Sequence, residues 1–135
     1  MRVIIIHTLE HAVTALATAE ELHVPVTLQT APDAIFYAGP LYLKSLFDEA
    51  QHKYPKVKAT CILDCGDAGA EAVAAMEAGH KFLRSSAHPE IRAKLASIAA
   101  QCGAELVDGE YEALDLLTVR DTKGECKRWL SEKAV

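Results

Sequence analysis

The sequence predicts an α/β domain on a parallel sheet, and three observations carry that prediction. Short apolar runs, Val3-Ile4-Ile5-Ile6 foremost, alternate with longer segments whose apolar residues recur at helical spacing. Those longer segments are bounded by residues that start or stop helices: Thr8 before the first, Pro40 and Pro89 opening two more, Gly79 and Gly103 closing two. Half of the residues are hydrophobic but only 6% are aromatic, which suits small helices packed closely on a sheet.

In chain order, residues 3–6 are a β-branched run suited to a strand buried on both faces. Thr8 is the expected N-cap of a helix over 9–22, with Leu9, Val13, Leu16 and Ala17 on its apolar side. A second strand is expected over 24–29 and a loop over 31–33. Gly39-Pro40 then opens a helix in which Leu43, Leu46, Phe47 and Ala50 keep helical spacing until Tyr54-Pro55. Residues 57–63 read as a third strand, and Asp67 or a neighbour as the cap of a helix over 68–78 that Gly79 ends. A short fourth strand over 81–84 precedes the Pro89 helix, whose Ile91, Leu95, Ile98 and Cys102 are expected to face inward. Gly103 ends that helix before a weak fifth strand over 104–107. Beyond Gly109 the alternation fails, so a mostly helical tail is predicted, with Leu114, Leu117, Trp129 and Leu130 covering the sheet.

The 135 residues make one domain, 1–135, about half of the ~250 residues typical of a closed (β/α) barrel. A net charge of −5 argues against nucleic acid or an anionic membrane as partner, since both select a basic face. The four cysteines form no CxxC pair and no long apolar segment is present, so a reducing cytoplasm is the expected location.

Parallel βα units joined by right-handed crossovers bring strand C-termini and helix N-termini to one edge. His7, Gln29, Asp64, Cys65, Arg84, Ser85, Ser86 and Asp108 fall there. Asp64 ends the third strand, where rigid backbone can hold a carboxylate against a ligand, although capping the next helix is an equally ordinary role. Arg84, Ser85 and Ser86 ahead of the Pro89 helix suit an anion, because a guanidinium and free helix N–H groups both favour one. Cys61 and Cys65 stand ~13 Å apart along a regular strand, too far to share an ion or a disulfide. His7 ends a strand while His11 sits in the first turn of the next helix, so their i, i+4 spacing does not give the geometry of a helical metal pair. His23, His52 and His80 fall near helix ends, where surface or capping roles are expected.

Pro25-Val26-Thr27-Leu28-Gln29, Tyr37-Ala38-Gly39 and Leu63-Asp64-Cys65-Gly66, in this order and spacing, resemble the first half of a class II, metal-dependent fructose-bisphosphate aldolase. The resemblance covers roughly residues 3–107. It implies half of an aldolase barrel, with Asp64 in the place of the family's general acid/base on the substrate hydroxyl. Cys65 stands where that family has a zinc-binding His, and Arg84-Ser85-Ser86 where it has Asp-Gly-Ser. The remaining zinc ligands belong to a second half that has no counterpart here.

The expected fold is therefore about five parallel strands in an open flavodoxin-like sandwich or a half (β/α) barrel, ending in a helical tail. The expected function is non-catalytic: binding of a small polar or phosphorylated molecule, or of a protein partner, through Gln29, Asp64, Cys65, Arg84, Ser85 and Ser86, without a cofactor. One alternative is a metal-assisted aldolase or lyase completed by oligomerisation, with Asp64 catalytic and zinc near Cys65 or His7. Another is an assembly module without a ligand. Homodimerisation is expected from open parallel edges on a short, apolar chain.

Overall fold

The computed structural model describes residues 1–132. It contains β1 (Arg2–Ile6), α1 (Leu9–Leu22), β2 (Val26–Thr30), α2 (Ala34–Tyr37), α3 (Pro40–Lys53), β3 (Ala59–Asp64) and α4 (Gly69–Glu77). These are followed by β4 (Phe82–Arg84), α5 (Pro89–Cys102), β5 (Glu105–Leu106), β6 (Glu112–Asp115), a 3-10 turn (Leu116–Thr118) and α6 (Thr122–Ser131). The expected α/β class, the parallel sheet and the helical C-terminal segment are all present.

Local signals explain most element ends. The Thr8 hydroxyl accepts the His11 N–H at 3.1 Å and starts α1, which stops where His23 turns left-handed at φ 56°. Pro40 and Pro89 occupy the first turns of α3 and α5, and Gly103 closes α5 at φ 72°. Asp67 does not cap α4: the cap position is Ala68, without a side-chain bond, and Asp67 is exposed. In α5 the apolar face is narrower than its spacing suggested. Leu95 is buried and Ile98 partly so, whereas Ile91 and Cys102 are exposed.

All neighbouring strands are parallel, in the order β5-β4-β3-β2-β1-β6. Each crossover from β1 to β5 moves one strand in the same direction, as in a barrel, so right-handed connections put their helices on one side. The helices pack as a row, α6-α1-α3-α4-α5. The sheet stays open, with β5 and β6 at its edges. Strand register sorts the side chains, since register partners share a face and successive residues alternate. Ile4, Leu28, Cys61 and Leu114 face the helices, as do Ile6, Leu63 and Leu83. One core lies beneath α1, α3 and α6 around Ile4, Leu16, Leu28, Phe47 and Leu116, and a second beneath α4 and α5 around Leu63, Met76, Leu83 and Leu95.

The predicted tail hides a sixth strand. Residues 112–115 pair with β1 from Arg2↔Glu112 to Ile5↔Asp115, placing the end of the chain beside its beginning. Leu114, Trp129 and Leu130 cover the first core as expected, but Leu117 is 67% exposed. No described helix is long and apolar enough to cross a membrane.

The link from β5 to β6 reveals the shape of the sheet. Leu106 stands level, rung by rung, with Leu83, Leu63, Thr30 and Ile6, whereas β6 enters at Glu112, level with Arg2. In a flat sheet the outer strands of six would lie roughly 24 Å apart, with β6 starting about 13 Å further down. The residues 107–111 that join them reach at most about 21 Å. The sheet must therefore curl, and the link crosses its concave face as a chord.

Candidate functional site

The concave face gathers three of the residues singled out from the sequence, Gln29, Asp64 and Arg84. Ile5, Gln29, Ile62 and Phe82 stand in one register row on it, and one turn of the pleat further up are Asp64 and Arg84, direct partners across β3 and β4. Tyr111, from the crossing link, reaches into this face: its hydroxyl donates to the side-chain oxygen of Gln29, a residue only 5% exposed. The Arg84 guanidinium lies 4.5 Å from the centre of the Tyr111 ring and donates to the Gly109 carbonyl at 2.9 Å. Gln29, Tyr111 and Arg84 thus hold the link against the sheet.

Asp64 is fixed by its turn. Its backbone N–H donates to the Thr30 hydroxyl at 3.0 Å, and its Oδ1 accepts the Gly66 N–H at 2.9 Å. Gly66 has φ 55°, a conformation that a side chain would strain. Burial pushes the Asp64 carboxyl above its ordinary range, more strongly than the Gly66 N–H and Arg84 pull it down, and the Asp33 charge adds to the rise. Although Asp64 and Arg84 face each other, no ion pair within 4.0 Å joins them among the described residues.

The structure brings Gln29, Asp64 and Arg84 together on one face and sends Cys65 elsewhere. One residue past Asp64, the Cys65 side chain enters the second core, fully buried, with Sγ 3.7 Å from the Leu63 carbonyl. Burial and the Asp64 and Glu71 charges push its thiol up to about 12. Ser85 Oγ accepts the Ala87 N–H at 3.2 Å, and the exposed Ser86 donates its backbone N–H to Gly66 at 2.8 Å, so both shape the loop. A cavity of about 250 Å³ lies beside Arg84 and Ser85, but Asp108 and Glu110 line it too and offset its positive charge.

Two functional candidates escaped sequence reasoning. Asp115, on the concave face of β6, meets His7 with 2.6 Å between Oδ1 and Nε2, across 108 positions of sequence. Tyr111 sits in an acidic stretch that gave no motif. The alternation Leu114-Asp115-Leu116 is the signal that could have revealed β6 and with it the direction of Asp115. The His7 N–H donates to His11 Nδ1 at 3.0 Å, and burial, followed by the neighbouring His7, lowers the His11 pKa. His80, expected near the surface, is 3% exposed and bonded through Nε2 to the Pro40 carbonyl at 2.8 Å.

The donors suited to zinc do not gather. Cys65 points into the core, His7 pairs with Asp115, and no group of three or more His, Cys, Asp or Glu side chains is placed to hold a metal among the described residues.

Among solved structures, the chain is similar to a Coccidioides immitis protein titled a "putative fructose-1,6-biphosphate aldolase", with a TM-score of 0.62 and 19% identity. The match covers 84% of this chain and 40% of that chain, so this chain spans less than half of its neighbour. At that identity the likeness is one of fold, and the fold is aldolase-like. No family model and no curated protein matches the sequence.

Proposed function

We propose that this is an aldolase-like domain that binds a small hydroxylated, acidic molecule at the top of its concave face, between Asp64 and Arg84, without cleaving it. The observation that carries this reading is the facing pair itself. A half-buried carboxylate and a guanidinium stand in register, each held by one backbone bond, with the charges left unjoined. A ligand hydroxyl suits Asp64 and a ligand anion suits Arg84. Support for non-catalysis comes from the Tyr111 crossing, which occupies the middle of the concave face, and from the scattered zinc donors.

The test is an amide-shift titration with glycerol 3-phosphate, using glycerol and inorganic phosphate as controls. Shifts at Asp64–Asp67 and Arg84–Ser86, weakened about tenfold in Asp64→Asn, are expected. A response confined to the opposite edge, around His23-Val24, Lys56-Val57 and Gly79-His80, would remove the placement. Chelator-sensitive cleavage of fructose 1,6-bisphosphate that is lost in Asp64→Asn would overturn the non-catalytic reading.

A further inference from the structure

A second cavity opens at the same edge on the helix side of the sheet, between the end of β1 and the α2–α3 segment. Its volume is about 400 Å³, within the range of small-molecule sites. Ile6, Leu43 and Leu46 form its apolar floor, and Tyr37 and Tyr42 stand at its rim, 73% and 61% exposed. His7 is the one imidazole in its wall.

The setting of His7 decides what this wall offers. Asp115 belongs to β6, on one side of β1, whereas the cavity is lined by residues that follow β2, on the other side. With Nε2 engaged by Asp115, Nδ1 is the ring nitrogen of this lining residue that is left for a molecule in the cavity. An ionised carboxylate only accepts, so the neutral imidazole carries its proton on Nε2 and leaves Nδ1 as a bare acceptor. Nδ1 has no hydrogen-bond partner among the described residues, and it is not a buried atom left unsatisfied. A molecule entering the cavity meets a fixed acceptor above an apolar floor, flanked by two aromatic rings.

We propose that this cavity is a binding site for a small planar aromatic alcohol, whose ring lies against Tyr37, Tyr42 and Leu43 and whose hydroxyl donates to His7 Nδ1. The volume admits one or two rings, and two Tyr side chains among the lining residues favour an aromatic body over an aliphatic one. Asp115 is a positioning residue, acting through His7 by holding its tautomer. The site is separate from the Asp64 crevice and does not depend on it.

Phenol is the probe, with anisole as its control because methylation removes the donor and keeps the ring. Phenol should shift the amides of Ala34, Ala38 and Leu43 and move the His7 Nδ1 resonance, and should bind about five- to tenfold more tightly than anisole. His7→Phe, which removes the acceptor and keeps a ring, should lower phenol binding to the level of anisole and leave anisole unchanged. The imidazole nitrogen shifts of the unaltered protein give a reading that needs no variant: a proton on Nδ1 in neutral His7 would overturn the proposal. Equal binding of phenol and anisole would overturn the hydrogen bond, and absence of shifts at the cavity amides would overturn the site.

Discussion

Replacing Tyr111 by Phe tests whether the β5–β6 link is seated on the concave face. The substitution removes one oxygen and retains the ring, and therefore the stacking of Arg84 at 4.5 Å. Gln29, 5% exposed, loses the donor to its side-chain oxygen. Leaving a buried acceptor without a partner costs about 1–3 kcal/mol, more than the net worth of an ordinary hydrogen bond, because the group was stripped of water on folding. For a domain of this length that corresponds to a fall in Tm of roughly 4–12 °C. Urea unfolding of the Tyr111→Phe, Gln29→Leu and double variants gives the coupling between them. The double variant should be more stable than the sum of the single losses predicts, since neither polar partner then remains unpaired. A Tyr111→Phe protein within about 0.3 kcal/mol of the parent, or a strictly additive cycle, would refute the seating and the argument that the link closes the concave face.

Other expectations follow from the same geometry. Burial raises the Asp64 pKa, so the folded state holds this proton more tightly than the unfolded chain. The resulting stability is fully present below the ordinary carboxylate value of 3.8 and is lost as pH rises through the higher folded value, and Asp64→Asn should flatten that slope in unfolding measured across acidic pH. Ellman's reagent should find one fast thiol, the exposed Cys102, and lose it in Cys102→Ser. Cys61 and Cys65, pushed up to about 12, and Cys126, pushed up to about 11, should react only on denaturation. The open edges β5 and β6 favour a homodimer, and a monomer mass independent of concentration in sedimentation would count against it.

The sequence by itself determined the elements whose signals are local. Thr8, Pro40, Pro89 and Gly103 act within one helical turn, and α1, α3 and α5 begin or end where these residues place them. Parallel pairing was equally legible, because strands separated by whole helices have few other ways to connect, and it brought Gln29, Asp64 and Arg84 to one edge. What only the tertiary structure decided depends on partners distant in the chain. The strand at Glu112–Asp115 carries a single alternating step, Leu114-Asp115-Leu116, too short to specify a strand alone, and β1, at the other end of the sequence, offers it an edge. His7 finds Asp115 and Gln29 finds Tyr111 for the same reason: the sheet curls until a short link can cross it. Cys65 shows the converse. Next to Asp64 in sequence, it lies on the other side of the sheet, because successive residues at a strand end alternate in direction and the second core there takes in the thiol. Side-chain spacing fixes which residues share a face, but which face meets helices and which meets the crossing link is set by long-range packing that no local pattern encodes.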